Sequence, residues 1–360
     1  MNIVIFAGGV GTRLWPLSRK RSPKQFEKIV GNKSTLQLAG ERLQPDFGWK
    51  EMFVSTNEAY VPIVQSQLSE VPPKQIIGEP AMRDVGPAVG LVTAILAKEA
   101  PTTPMAILWS DHLVKNDALF RKILKSAGEL VAENPDQVIF VSQKPRFANE
   151  NLGWIEFGKE VRHKNGFSFC SLVNFQYRPD RKTAENYFKS GHHAWNLGYF
   201  VTTPRYLLSQ YKRFVPNLYS GLMQIQAAWQ TGRYHETLKK VYPTFEKIAF
   251  DNAILEKLDP SSSLVISENI GWSDIGAWEA LKEALEEAKD KNVTQGNVLL
   301  TDTADSLIYN YTGQLVVTID LNDFLVVNTD DVLLVAKKSS VSKIKQLVQN
   351  LDGTEHEKLA

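Results

Sequence analysis

The sequence is poor in several features that would each point to a class of protein. Its 360 residues include one cysteine, Cys170, so it can form no internal disulfide, and a reducing cytoplasm fits. No run approaches the roughly 18 apolar residues of a membrane span, and the N-terminus does not resemble a secretory signal. Its 41 basic residues balance 40 acidic ones, a net charge of +1, so the overall charge favours neither nucleic acid nor membrane as a partner.

Short apolar runs typical of β-strands alternate with segments of helical period in the first part of the chain. The runs are residues 3–6, 52–55, 105–109 and 138–141, and helical segments include 87–99 and 119–133. A chain with 43% hydrophobic residues can bury a large core at this length. The alternation predicts an α/β fold with a mostly parallel sheet, in which ligands lie at the carboxyl ends of the strands.

The pattern changes near the C-terminus. A helix predicted at 278–289 is followed by short strands at 297–301, 306–309, 315–319, 324–328 and 332–336, and by a last helix at 341–351. We therefore predict two domains, residues 1–290 and a small β domain at 291–360.

A glycine cluster, Gly8-Gly9-Val10-Gly11-Thr12-Arg13, directly follows the first strand. Glycines at a strand end let backbone amides approach a phosphate, and Arg13 and the later Lys24 can bind its charge. The pattern indicates a nucleoside triphosphate site, although three glycines can also form a plain tight turn.

Two common kinds of nucleotide site do not fit. A phosphate-binding ATPase loop requires Gly-Lys-Ser or Gly-Lys-Thr, and neither occurs in the chain. A dinucleotide fingerprint begins at Gly9-Val10-Gly11, but Leu14 stands where its last glycine belongs. The sequence thus favours neither a P-loop protein nor a Rossmann dehydrogenase.

Residues 6–19 and 23–26 resemble the opening of the mannose-1-phosphate guanylyltransferases, which are sugar nucleotidyltransferases. The resemblance continues, in the order of the family, at 78–88, 109–112, 195–200, 250–256 and 271–278. It implies a Rossmann-like nucleotidyltransferase fold, a C-terminal domain like a left-handed β-helix, and Mg²⁺ as cofactor. It also implies transfer of GMP from GTP to mannose 1-phosphate, giving GDP-mannose and pyrophosphate.

The chemistry of such a transfer suggests roles for four charged residues. Two polyanions must meet, so Arg13 and Lys24 are predicted to be catalytic, by stabilising the triphosphate and the charge that develops on it. Mg²⁺ takes carboxylate, phosphate and water oxygens, and Asp111 and Asp274 match the family's metal ligands. Taken singly, these residues could instead form surface ion pairs, turns or helix caps.

The resemblance implies further contacts to the two substrates. Glu79 and Asp84 fall beside the nucleobase in the family, although acids here would also suit a helix N-terminus before Pro87. The residues that the resemblance assigns to the nucleotide are Gly8, Gly9, Gly11, Thr12, Arg13, Lys24, Glu79, Asp84 and Asp111. Those assigned to the sugar phosphate are Gly153, Arg178, Asn196 and Asp251.

Three residues depart from the family pattern, of which Arg178, in place of a lysine, keeps the positive charge. Tyr177 replaces a carboxylate that binds sugar hydroxyls, and Val85 replaces a threonine. The same reaction with another sugar 1-phosphate or nucleotide therefore stays open, as does a non-catalytic subunit that senses sugar nucleotides. The apolar face of the last helix suits docking onto the β domain or onto a subunit partner, so a homodimer through the C-terminal region is also predicted. The charge balance predicts no nucleic acid or membrane partner.

Overall fold

The computed structural model describes residues 1–9, 11, 13–19, 21–288 and 290–360. The strands are β1 Asn2–Phe6, β2 Met52–Asn57, β3 Ile76–Glu79, β4 Met105–Trp109, β5 His112–Leu113, β6 Val138–Gln143, β7 Gly153–Lys164, β8 Phe167–Tyr177, β9 His193–Thr202, β10 Ser263–Glu268, β11 Ser273–Asp274, β12 Val293–Gln295, β13 Val298–Thr301, β14 Leu307–Asn310, β15 Val316–Ile319, β16 Phe324–Asn328 and β17 Leu333–Lys337. The α-helices are α1 Thr35–Glu41, α2 Val61–Gln67, α3 Val85–Glu99, α4 Asp117–Glu133, α5 Arg181–Ser190, α6 Pro204–Phe214, α7 Pro216–Ala228, α8 Tyr234–Val241, α9 Phe250–Ala253, α10 Trp278–Leu285 and α11 Ile344–Gln349.

These residues divide into two compact units. The first comprises Met1–Gly8, Gly40–Trp109 and Lys115–Gly271, and the second comprises Gly9–Ala39, Ser110–Val114 and Trp272–Ala360. The loop after β1 and the segment after β4 thus belong to the same unit as the C-terminal strands. The domain boundary at 290/291 stays a prediction.

A large sheet organises the first unit. Among the described residues its strand order is β3-β2-β1-β4-β9-β6-β10-β8-β7. Strands β3, β2, β1 and β4 run parallel, as do β6 and β10, while β9 joins antiparallel to β4 and β6. The predicted α/β class is confirmed, and β7 pairs antiparallel with β8 in a long hairpin.

The register of this sheet brings two strand ends level. Phe6 pairs with Ser55 on β2 and with Trp109 on β4, so β1 and β4 end at the same edge. The glycine loop and Ser110-Asp111 follow these two ends in the chain. This is the arrangement that the alternating sequence pattern predicted for the ligand edge.

Helix α3 lies in the core of the first unit, where α6 and α7 cover it. Its glycine at 90 allows this close packing, because a Cβ there would lie 2.8 Å from Leu222. Helices α7 and α8 were not predicted, although Leu218, Leu222 and Ile225 do follow a helical spacing on α7.

The C-terminal strands of the second unit stack as successive turns of a coil. Val293, Leu307 and Leu325 pair in parallel from β12 to β14 to β16, and β13 pairs in parallel with β15. Two successive turns of the chain each add a strand to both of these sheets, and β17 then returns antiparallel to β16. The predicted β-helix-like domain is confirmed. The handedness of the coil stays a prediction.

Two helices near this coil are shorter than predicted. Helix α10 ends at Leu285 because the backbone at Glu286 is extended, with φ −62° and ψ 134°. The stretch predicted as one helix at 341–351 begins as a 3-10 helix, Lys338–Lys343, before α11. Val341, Ile344 and Val348 are buried in the core of this unit, which agrees with docking of that segment onto the β domain.

Candidate active site

Lys24 connects two of the segments singled out by the sequence. Its Nζ lies 2.8 Å from Asp111 Oδ2 and donates a hydrogen bond of 2.9 Å to the carbonyl of Ile275. The side chain is only 12% exposed, so the ammonium is held rather than free in solvent. The Lys24–Phe26 3-10 helix, which begins after Pro23, positions it.

Asp111 stays ionised in this environment. Burial alone would raise the pKa of its carboxyl, but the Lys24 ammonium, His112 and hydrogen bonds hold that pKa well below its usual range. The His112 ring packs edge-on against Trp272 with centroids 5.1 Å apart. His112 therefore has a packing role beside the acid.

Asp274 and Arg13 lie near each other beside Gly276. Strand β11 pairs antiparallel with β5, which sets Asp274 opposite His112. A Cβ built on Gly276 would overlap Asp274 Oδ1 and would lie 3.4 Å from Arg13 Nη2. Gly276 thus leaves the space in which this carboxylate and this guanidinium approach one another.

Two side chains donate hydrogen bonds to backbone carbonyls of the glycine cluster. Gln25 Nε2 donates to Gly9 O at 3.0 Å, and Ser18 Oγ donates to Gly11 O. Gly9 has no heavy atom within 4 Å of a would-be Cβ, whereas a Cβ at Gly11 would lie 3.1 Å from Lys24 Cδ. A side chain at Gly11 would therefore crowd the lysine. Thr12, also predicted to bind nucleotide, lies outside the described residues.

The acids of this unit suit a hard divalent cation. In the described part of the chain, no three His, Cys, Asp or Glu residues form a group that could hold a metal by themselves. Mg²⁺ needs only one or two carboxylates when phosphate and water oxygens complete its shell. Asp111, kept ionised, and Asp274 offer that donor set.

Glu79 belongs to the first unit and is buried at the end of β3, where it is 8% exposed. Ser55 Oγ donates to its Oε1 at 3.1 Å, and Tyr242 Oη donates to its Oε2 at 2.6 Å. Gly8 adjoins it, since a Cβ there would lie 3.9 Å from Oε1. Both carboxyl oxygens therefore already have donors, and contact between Glu79 and a nucleobase stays a prediction.

Replacing Glu79 with glutamine should make stability less dependent on pH. Burial raises the pKa of Glu79 from its ordinary 4.5 to about 7, although Tyr242 and Ser55 oppose this. Between these values the folded protein keeps a proton that the unfolded chain has lost, so the free energy of unfolding falls as pH rises. Glu79→Gln should lack this fall, about 3 kcal/mol in total. Urea unfolding at about pH 5 and about pH 8 measures the free energy of unfolding of the unaltered protein and of Glu79→Gln. An equal decrease in this free energy in the two proteins would contradict the prediction.

Asp84 and Asp251 lie near each other in the first unit. Asp84 caps α3, with its Oδ1 accepting from the Val85 amide at 2.7 Å and its φ at 69°, so the helix-start reading is correct. Burial raises the pKa of Asp251, and the charges of Glu256 and Asp84 add to that rise. A cationic or hydroxyl-rich ligand would relieve this crowding of negative charge.

The start of β7, the end of β8 and the first half of β9 bring together the other residues assigned to the sugar phosphate. Gly153 pairs with both Asn196 and Tyr177. Arg178 follows Tyr177 with φ 47°, and its guanidinium carbon lies 5.0 Å from the Tyr177 ring centroid. A Cβ on Gly153 would lie 3.3 Å from Asn196 Cβ, so this crossing requires a small residue.

The structure adds residues that the sequence reading did not assign. Gln25 binds the glycine loop, Gly276 makes room beside Asp274, and the Trp278 indole donates to the carbonyl of Trp15 at 3.0 Å. All of them stand within motifs already quoted for the resemblance. Their proximity in sequence to the charged residues was the available signal, although Trp278 and its partner Trp15 lie 263 residues apart.

The features described so far are typical of a nucleotidyltransferase. They are a sheet whose first strand is followed by a glycine cluster, the four charged residues Arg13, Lys24, Asp111 and Asp274, and a C-terminal β-helix. The family model described as nucleotidyl transferase matches residues 2–291, and that of the MannoseP isomerase/GMP-like beta-helix domain matches residues 296–351. The chain belongs to the nucleotidyl transferase family, in its mannose-1-phosphate guanylyltransferase branch.

Proteins with similar sequences align with nearly the whole chain. Mannose-1-phosphate guanylyltransferase 2 of Escherichia coli O157:H7 is 31% identical over 97% of this chain and 73% of that protein. The alginate biosynthesis protein AlgA of Pseudomonas syringae pv. tomato is 31% identical over 97% of this chain and 71% of its own length. The crystal structure of a mannose-1-phosphate geranyltransferase from Thermus thermophilus superposes with TM-score 0.87 at 25% identity, covering 98% of this chain and 99% of that one.

Proposed function

We propose that this enzyme transfers GMP from GTP to mannose 1-phosphate and releases pyrophosphate. The ion pair between Lys24 and Asp111, with Lys24 also bound to the Ile275 carbonyl, carries the proposal. It holds a cation and an acid ready for a triphosphate, in the same unit as Gly9, Gly11 and Arg13 of the glycine cluster. The names of the relatives supply the base and the sugar.

The sugar phosphate oxygen attacks the α-phosphorus in line, and pyrophosphate leaves. The attacking oxygen is already ionised at neutral pH, so no general base is required. Arg13 can bind phosphate oxygens with its guanidinium fork, and Lys24 supplies a point charge. We assign both to the charge that develops between the α- and β-phosphates.

Magnesium is the proposed cofactor, with Asp111 and Asp274 as its protein ligands. A bound divalent ion would screen the repulsion between the two polyanions and favour departure of pyrophosphate. Lys24 balances the charge of Asp111 and keeps it ionised, so the acid is available at neutral pH.

The remaining assigned residues bind the base and the sugar in this proposal. Arg178 supplies charge for the sugar phosphate, while Gly153, Asn196 and Asp251 contact or border its hydroxyls. Tyr177, at 50% exposure, offers one hydroxyl where the family has a carboxylate. Together with Val85 it is the reason that another sugar 1-phosphate remains the alternative.

An activity assay separates catalysis from sugar-nucleotide sensing. With GTP labelled at the α-phosphorus, the label should move into a sugar nucleotide in the presence of mannose 1-phosphate and Mg²⁺. A chelator should stop the reaction, and added Mg²⁺ should restore it. Tight binding of the sugar nucleotide without any turnover would instead identify a sensing subunit.

The proposal includes a cytoplasmic location, because Cys170 is a free thiol and reducing compartments preserve free thiols. Separately, within the residues described, no helix is both long and apolar enough to cross a bilayer.

The proposal also includes a homodimer formed through the C-terminal region. Leu299 on β13 pairs with Val317 on β15, Ile319 lies two residues further, and all three side chains are exposed. An exposed apolar stripe on a short sheet of this kind suits a second copy of the chain.

Charge on this stripe should therefore separate the subunits. Val317→Lys with Ile319→Lys is expected to convert a dimer into a folded monomer in sedimentation velocity, since burying two ammonium groups is unfavourable. Val161→Lys, at an equally exposed valine of β7, serves as the control. A monomeric starting protein, or a dimer that survives the double change, would contradict the proposal.

A further inference from the structure

Arg13 depends on its backbone for placement. The side chain is exposed, and a long cationic side chain loses about 2 kcal/mol of rotamer entropy when it is held in one geometry. The guanidinium can meet a phosphate reproducibly only if the peptide that carries it is fixed. Trp15, two residues further along, makes contacts that restrain the backbone on this side of Arg13.

Trp15 is bonded at both its side chain and its main chain. Its indole Nε1 donates to the carbonyl of Leu359 at 2.7 Å, and its own carbonyl accepts from Trp278 Nε1 at 3.0 Å. Trp15 is 7% exposed, and Leu14 before it is fully buried in the same core. The residue after Arg13 and the next one are thus anchored to α10 and to the C-terminal segment.

The segment that follows Trp15 is also bonded to the C-terminal strands, through Arg19. The guanidinium of Arg19 forms a fork on the Asp331 carboxylate, with Nη1 to Oδ2 at 2.7 Å, while its Nε donates to Pro16 O at 3.0 Å. Tyr311 Oη donates to Lys28 O at 3.2 Å. Residues near both ends of the segment from Arg13 to Lys28 are therefore tied to residues of the second unit that come after β11.

From these contacts we propose that Trp15 is a positioning residue for the transfer, acting through Arg13. A neutral hydrogen bond contributes only about 1 kcal/mol to stability. A shift of about 1 Å at a reacting group can lower the rate about 100-fold. Loss of the Trp15 bond should therefore affect catalysis much more than stability. This inference rests on the proposed function, in which Arg13 binds the triphosphate.

Trp15→Phe tests it by removing the indole N–H while keeping an aromatic ring in the core. We expect kcat to fall about 10- to 100-fold with KM for mannose 1-phosphate unchanged, and Tm to fall by no more than a few degrees. Trp278→Phe should behave alike. Trp229→Phe is the matched control, because Trp229 is 8% exposed and its indole also donates one bond, to Glu99 at 2.8 Å.

The rates of these variants show whether Trp15 positions Arg13. If Trp15→Phe keeps kcat within about twofold, or loses no more than Trp229→Phe does, Trp15 does not position Arg13. Hydrogen exchange of the Leu17 and Ser18 amides, both bonded to Leu14 O, gives a readout without substrate. If the unaltered protein turns over no substrate, the proposed function fails. Faster exchange of these amides in Trp15→Phe and Trp278→Phe than in Trp229→Phe would then still support the anchor, and equal exchange in all three variants would overturn it.

Discussion

Asp111→Asn is expected to lower kcat about 1,000-fold or more while leaving the protein folded. The amide has the shape of the carboxylate but carries no charge, so it is a weaker ligand for a divalent cation. It also leaves Lys24, 2.8 Å away, without its counter-ion. The measurement is the initial rate of pyrophosphate release with GTP and mannose 1-phosphate at saturation, together with a melting curve.

A second carboxylate in a similar ion pair provides the control. Asp46 accepts from Arg121 at 2.8 Å and pairs with Lys125, but it lies outside every motif of the site. Asp46→Asn should change kcat by less than about twofold, because exposed ion pairs contribute little. An Asp111→Asn rate within about fivefold of the unaltered enzyme would refute a role for Asp111 at the reacting phosphate.

Gly276→Ala is expected to lower kcat about 100-fold by displacing charged groups rather than removing them. The added Cβ would overlap Asp274 Oδ1 and would lie 3.4 Å from Arg13 Nη2, so the carboxylate must turn away. The change adds one methyl group and no charge. Steady-state kinetics over a range of Mg²⁺ concentrations would show whether more metal is needed, as displacement of a metal ligand predicts.

Gly313→Ala is the matched control, because no heavy atom lies within 4 Å of a Cβ built there. It should leave both kcat and the Mg²⁺ dependence unchanged. Equal effects of the two alanines, or a Gly276→Ala enzyme with normal metal dependence and rate, would mean that Asp274 does not need this space.

Local sequence patterns predicted most of the elements that carry the site. The apolar run 3–6 and the glycines after it indicated a strand end with room for phosphate, and strand pairing of Phe6 with Trp109 bears out the shared sheet edge. Such signals are readable because strand period, glycine content and charge act over a few residues.

Contacts between residues far apart in the chain could not be predicted from the sequence alone. The bond from Trp15 to Leu359 spans 344 residues, and that from Glu79 to Tyr242 spans 163. Nothing near Glu79 in the chain shows that two hydroxyls would occupy its oxygens. Close to the end of α10, Lys282 likewise has a distant partner. Its Nζ forms ion pairs with Glu286, just after the helix, and with Asp305, 23 residues away in the β domain.

A substrate panel tests the proposed transfer of GMP to mannose 1-phosphate. GTP, ATP, dTTP and UTP are crossed with mannose 1-phosphate and glucose 1-phosphate, and pyrophosphate release is measured in the presence of Mg²⁺. We expect GTP with mannose 1-phosphate to react at least about tenfold faster than every other pair. A faster reaction with another pair would contradict the proposed substrates. No pyrophosphate release with any pair would contradict the proposal that the protein catalyses this transfer.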